Sequence, residues 1–97
     1  MTTEFHDEAL LEYHSSAVYS ESAFGLGEEF VQAIERPLSE ISSDPLRYKK
    51  SGPHLHNFRL SRFPYHLFYN HVPDSGRITI LAVAHTSRRP NYWKSRI

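Results

Sequence analysis

Residues 56–84 read HNFRLSRFPYHLFYNHVPDSGRITILAVA, and the spacing of apolar side chains in this stretch decides the fold. In His56–Leu60, Phe58 and Leu60 fall on one side of an extended chain, Asn57 and Arg59 on the other. Tyr65–Asn70 repeats the alternation, with Tyr65, Leu67 and Tyr69 opposed to His66, Phe68 and Asn70. A period of two belongs to β-strand, where successive side chains point to opposite faces. Pro73-Asp74-Ser75-Gly76 is rich in turn-forming residues and predicts a hairpin. Arg77–Ala84 is apolar on both sides, Ile78, Ile80 and Ala82 against Leu81 and Val83, which predicts an interior strand covered on both faces.

Upstream of this stretch the period is helical. Phe30, Ile34, Leu38 and Ile41 form one stripe on a helix that begins at Glu28 and ends at Ser42-Ser43-Asp44-Pro45. Pro37 lies inside it and cannot donate its backbone hydrogen bond, so a kink, or a break near Arg36, is expected. Before it, Leu10, Tyr13, Ala17 and Phe24 recur at helical spacing, Ser20 filling the slot between, on a helix of roughly four turns. Asp7 and Glu8 place negative charge at its start, and Gly25 and Gly27 stop it. The two helices, joined by Gly-Leu-Gly, read as an antiparallel hairpin. Thr2–Phe5 is β-prone, 46–54 is a basic loop, and HTSRRPNYWKSRI is a polar tail. The order β-α-α-β-β-β predicts an α+β fold: a helix hairpin on one face of a small, twisted, mainly antiparallel sheet, all of 1–97 in one domain.

Composition narrows the chemistry. The chain has 97 residues, 39% hydrophobic and 13% aromatic, so a modest core relies on large rings. A domain of this size buries only about 60–65% of its unfolded surface, and a tight partner would add stability by mass action. With no cysteine, disulfides, thiolate metal sites and cysteine nucleophiles are excluded, and a reducing cytoplasm is expected. MTTEFHDEAL shows no signal-peptide pattern, and the longest wholly apolar run, Ile80–Ala84, is far too short to cross a membrane. Eleven basic residues balance eleven acidic ones. They are segregated: 1–45 holds ten acids and one base, Arg36, while 46–97 holds ten bases and one acid, Asp74. An anionic partner is expected to meet the back half.

The stretches GLGEEFVQAIERPLSEI, DPLRY, RLSRFPYHLFY and ITILAVAHTSRRPNYWKSR, in this order, resemble the RelE/ParE superfamily of type II toxin–antitoxin toxins. Taken together, Phe63-Pro64-Tyr65, the Ala84-His85 pair some twenty residues on and Arg88-Arg89-Pro90 before Tyr92-Trp93 carry the likeness, which is closer to ParE-like members. The resemblance implies a toxin silenced by a cognate antitoxin. It also implies one of two activities, inhibition of DNA gyrase or ribosome-dependent mRNA cleavage, between which fold cannot choose. A homodimer and a toxin–antitoxin hetero-oligomer both remain open.

Cleavage through a 2′-hydroxyl needs a base, a cation to stabilise the phosphorane and an acid for the leaving oxygen. In the RelE-like pattern the sheet arginine falls at His66, the later arginine near Thr86 and the terminal tyrosine near Tyr92, with Lys49 and Lys50 as upstream lysines. A nuclease here would therefore use His66, His85, Arg88 and Tyr92, histidine being suited to both proton transfers near neutral pH. The ParE-like reading needs no hydrolytic set. Its target-binding candidates are Arg59, Arg62, Arg88, Arg89, Tyr92, Trp93, Lys94 and Arg96, cations interleaved with the rings that dominate interfaces. This reading is preferred, with no enzyme activity.

Plainer roles stand beside these. Tyr65, Leu67 and Tyr69 read as core, and Phe63-Pro64 as a turn or strand edge. Trp93 would cover one end of the sheet, and Arg88 and Arg89 would pair weakly with front-half acids. Glu8, Glu12, Glu21, Glu28, Glu29 and Glu35 read as exposed helix faces. His54 and His56 form His-x-His, but no third ligand at metal-site spacing accompanies them, and neither metal nor cofactor is expected.

Overall fold

The computed structural model describes residues 2–72 and 74–97. The elements, in chain order, are β1 (Thr2–Phe5), α1 (Asp7–Phe24), α2 (Gly27–Ser43), β2 (Leu55–Arg59), β3 (Tyr65–His71) and β4 (Arg77–His85), then a 3-10 turn at Lys94–Arg96. The sheet order is β1-β4-β3-β2. β1 pairs with β4 in parallel; β4 with β3 and β3 with β2 are antiparallel. The architecture is the expected α+β one. Pro73 of the anticipated hairpin signal lies outside the described residues; Asp74 and Gly76 take left-handed backbone angles, φ 70° and 69°.

The main core lies between the helix hairpin and one face of the sheet. Phe30, Ile34, Leu38 and Ile41 of α2 bury against Tyr65, Leu67 and Tyr69 of β3 and Ile78, Ile80 and Val83 of β4. The α2 stripe thus packs as its spacing predicts. Pro37 is buried and α2 runs through it, so the break expected as one alternative near Arg36 does not occur. Anchoring residues on the same face before and after Pro37 hold the turn that lacks one hydrogen bond.

α1 departs further from expectation. Leu10 and Phe24 are 52% and 66% exposed, while Ala9 and Ser20 are buried. The inward face is Ala9, Tyr13, Ala17 and Ser20: Tyr13, Ala17 and Ser20 pack as predicted, while Leu10 and Phe24 at the two ends of the stripe fall outside it. The phase is set by the entry of the chain: the His6 N–H donates to the Ile80 carbonyl, so α1 starts directly off the sheet. Small side chains then allow close approach. At the hairpin corner a Cβ on Gly27 would lie 2.9 Å from the Glu21 Cβ, so only glycine fits without a shift. Leu10 and Phe24, displaced from the predicted stripe, are exposed on the outside of the hairpin, as are Val18, Tyr19 and, from α2, Val31.

β4 contains the feature that positions the site. Phe68 pairs with Ala82 but Tyr69 pairs with Ile80, so Leu81 is an extra residue in the ladder. The bulge rephases the strand. Ile78, Ile80 and Val83 face the helices, while Leu81, Ala82 and Ala84 face the other side, where they bury with Leu55 and Trp93. The strict alternation expected for Ile78–Val83 is corrected accordingly. β1 covers β4 only from Arg77 to Ile80, leaving the remainder of that edge to be met by side chains.

Candidate functional site

Past His85 the chain folds back in successive turns. The Thr86 N–H donates to the Pro64 carbonyl (2.8 Å), Arg88 to His85 (3.0 Å), Lys94 to Asn91 (3.0 Å) and Arg96 to Trp93 (2.9 Å). The polar tail is therefore an ordered cap. Trp93, 3% exposed, stacks on Phe68 with ring centroids 4.4 Å apart and closes the second apolar cluster over Leu81, Ala82 and Ala84. It is an interior anchor, which corrects its assignment to a target-facing surface.

The tail is clamped to α1 by one carboxylate. Glu12 Oε1 accepts from the Val83 N–H (3.0 Å) and Arg96 Nη1 (3.0 Å), and Oε2 accepts from Arg96 Nη2 (3.0 Å) and the Tyr92 hydroxyl (2.8 Å). Arg96 Nη1 also donates to the Leu81 carbonyl (3.0 Å). Glu12 and Arg96 thus satisfy two backbone groups of β4 beyond the reach of β1. Their side chains are 14% and 13% exposed. Removing one partner of so buried a pair typically costs about 3–5 kcal/mol, because the other charge stays desolvated. Burial and then the Glu12 hydrogen bond raise the Tyr92 pKa, and the same carboxylate holds Arg96 charged. Glu12 is therefore no exposed helix-face acid, and Arg96 is no free cation.

The remaining tail cations lie outside this clamp. The Arg88 guanidinium sits 3.9 Å from the centroid of the Tyr92 ring, a close cation–π contact on the side chain that Glu12 fixes. Among the described residues no carboxylate lies within ion-pair distance of Arg88, Arg89 or Lys94. Pairing of Arg88 and Arg89 with front-half acids is thus not observed.

Tyr65 pairs with His85, and His66 with Ala84 and Arg59. His85 lies edge-on to Tyr65 at 5.1 Å, and its Nδ1 accepts from the Ser87 N–H at 3.0 Å. His66 stacks on Phe68 (5.7 Å), and its Nδ1 is buried without a hydrogen-bond partner. Burial, then the neighbouring Arg59 charge, lowers its pKa. His66, His85, Arg88 and Tyr92 all line one recess of about 180 Å³ together with Arg89 and Trp93. Arg62 is placed elsewhere, in a recess with Arg36 and Pro37 of α2.

No three His, Cys, Asp or Glu side chains assemble as a metal-ligand set among the described residues. His56 is buried, stacked on Tyr69 at 5.1 Å, with Nδ1 3.0 Å from the Tyr48 carbonyl. Its ring is occupied by packing. No described helix is long and apolar enough to cross a membrane.

Residues 3–90 match the profile of the ParE toxin of the type II toxin–antitoxin system parDE. The chain belongs to the ParE toxin family. It is a type II toxin, whose partner is a cognate antitoxin. Tyr92, Trp93, Lys94 and Arg96 lie beyond the matched residues. No curated protein matches by sequence. Among solved structures, the chain resembles the chromosomal ParDE toxin–antitoxin system of P. aeruginosa, with TM-score 0.64, 13% identity and coverage of 90% of this chain and 97% of that one. The isolated E. coli RelE toxin gives TM-score 0.64, 16% identity and coverage of 98% and 94%. An E. coli RelE mutant in complex with an antitoxin RelB peptide gives 0.66, 15%, 99% and 93%. At these identities the likeness is one of fold.

Proposed function

We propose that this ParE-family toxin inhibits DNA gyrase by binding and performs no hydrolysis. The observation that carries the reading is the tail: among the described residues Arg88 and Arg89 have no carboxylate partner, and they stand on a segment pinned by Trp93 and Glu12. A rigidly mounted cation loses little entropy on docking to an acidic surface or a protein–DNA complex. Arg59 and Lys94 extend the basic surface. The test is a supercoiling assay with antitoxin-free protein. Arg88→Ala and Arg89→Ala are expected to weaken inhibition while leaving the thermal midpoint unchanged. Full potency in the double variant would exclude the tail as the contact.

The antitoxin is proposed to lay an amphipathic helix on the outward face of the hairpin. Two adjoining shallow grooves, about 250 and 370 Å³, share His14, Ala17 and Val31 there. Helix-in-groove recognition needs such an apolar strip, and the exposed Leu10 and Val18 line one groove each. Val18→Asp should abolish antitoxin binding and leave gyrase inhibition intact.

One observation favours a second reading, a RelE-like ribosome-dependent mRNA endonuclease: His66, His85, Arg88 and Tyr92 share a recess. The low pKa of His66 suits a base that is neutral at physiological pH. Against it, the Tyr92 hydroxyl already donates its hydrogen bond to Glu12, and the His85 Nδ1 already accepts from the Ser87 N–H. Cleavage of mRNA on translating ribosomes, lost in His66→Ala, would establish this activity in place of the first.

A further inference from the structure

Glu12 sits on the acidic front half, yet every group donating to it belongs to the back half: Val83, Tyr92 and Arg96. The three are 71, 80 and 84 residues away in sequence. Without this carboxylate the Arg96 charge would be buried unpaired, and the Tyr92 hydroxyl would lose its acceptor. The Tyr92 ring would then keep its packing against the second apolar cluster but lose the hydrogen bond that fixes its hydroxyl end. Arg88 rests on that ring at 3.9 Å, and Arg96 flanks it at 5.2 Å. The contacts thus run from α1 through the Glu12–Tyr92 hydrogen bond to the ring beneath Arg88, a cation with no carboxylate within ion-pair distance among the described residues.

We propose that Glu12 is a positioning residue for target binding: it acts through Tyr92 to hold the Arg88 guanidinium in its docking orientation. The inference rests on the reading above, that Arg88 contacts the target. Glu12 does not touch the target itself. It lies on the wall of a groove of about 410 Å³ between α1 and the β4 edge, with Glu8, Ser15, Val83 and Arg96. Of the clamp, Glu12 and Val83 lie within the residues that match the family profile, and Tyr92 and Arg96 lie beyond them. Glu12→Gln is the informative variant. The amide keeps an acceptor for the Val83 N–H but turns donors toward Arg96 and removes the balancing charge.

The experiment is a double-mutant cycle on gyrase inhibition, with Glu12→Gln, Arg88→Ala and both together, each checked for folding by circular dichroism. Each single variant is expected to weaken half-maximal inhibition about tenfold, the scale of a lost charge-assisted hydrogen bond. If Glu12 acts through Arg88, the pair also loses about tenfold, since the second change removes nothing further. An additive loss of about a hundredfold overturns the proposal, because Glu12 would then act independently of Arg88. Wild-type potency of Glu12→Gln overturns it too. Wild-type potency of Arg88→Ala instead removes the reading beneath it, and the proposal falls with that reading. Should Glu12→Gln fail to fold, Tyr92→Phe replaces it in the cycle. That variant keeps the ring and the ion pair but releases the ring from Glu12, and the same outcomes decide.

Discussion

Truncating Trp93 to alanine tests whether the carboxyl-terminal segment is part of the folded body or an appended arm. The indole is 3% exposed, stacks on Phe68 at 4.4 Å and covers Leu81, Ala82 and Ala84. Large-to-small changes of a buried tryptophan cost about 3–5 kcal/mol. The aromatic pair accounts for roughly 0.5–1.5 kcal/mol of that. A small domain has about 5–15 kcal/mol in total, so at least roughly a fifth of its stability is at stake. At about 4–8 °C per kcal/mol, the thermal midpoint should fall by roughly 12–40 °C. The assay is urea unfolding followed by far-ultraviolet circular dichroism, because Trp93 is the only tryptophan and its emission is lost with it. Trp93→Phe, which keeps a ring against Phe68, should lose much less. A loss below about 1 kcal/mol in Trp93→Ala would refute the packing argument, since only surface substitutions are that mild. The result also governs how toxicity data are read, because a non-toxic Trp93→Ala reports unfolding before it reports target contact.

Other perturbations probe single buried groups. His71 is 6% exposed with neither ring nitrogen bonded, so His71→Leu is expected to raise stability by about 1–2 kcal/mol in urea titration; a loss would show that the ring has a partner. Tyr69→Phe removes the 2.7 Å hydrogen bond to the Pro45 carbonyl and should cost about 1–3 kcal/mol in the same measurement. Burial pushes the Tyr69 pKa up to about 12, so its contribution is complete below about pH 10 and declines as pH rises from 10 through 12. Tyr69→Phe should flatten an alkaline unfolding curve in that window. Burial and Arg59 lower the His66 pKa, so the unfolded chain binds the extra proton as pH falls below about 6.5 and stability drops there. His66→Gln should remove part of that acid slope, and an unchanged slope would count against it.

What the sequence made legible follows from how strongly each segment's pattern was constrained. α2 and β3 each carry one unambiguous apolar face, and Phe30, Ile34, Tyr65, Leu67 and Tyr69 are all buried as read. α1 has apolar residues around most of its circumference, with Leu10 and Leu11 beside Ala9, and Val18 and Tyr19 beside Ala17. Its true inward face is marked by small residues, which hydrophobicity undervalues. The β4 bulge was hidden because Ile80–Ala84 is apolar at every position, so no register stood out. Of the site, the Arg88–Tyr92 neighbourhood was visible as a local cluster of cations and rings. Glu12 was not, because its partners are at least 71 residues distant and nothing local distinguishes it from the surrounding helix acids.

Charge segregation and the Glu12 clamp explain one another. A chain with zero net charge has no long-range pull on an anionic target unless its positive surface is kept apart from its own acids. Here most of the acids ride on the helices, and the bases other than Arg36 lie on the strands, loops and tail. Among the described residues the two populations meet at the tail through one buried ion pair, Glu12–Arg96. That one pairing spends Arg96 as a structural residue and leaves Arg88 and Arg89 available. If tail cations were instead drawn to the helix acids generally, the basic surface would neutralise itself. An additional acid introduced on α1 beside the clamp, as in Ser15→Glu in the groove that holds Arg88, is therefore expected to capture Arg88 in cis. Gyrase inhibition should then fall with no loss of thermal stability. Unaltered potency, with the new ion pair seen by NMR, would show that a free Arg88 is not what the target requires.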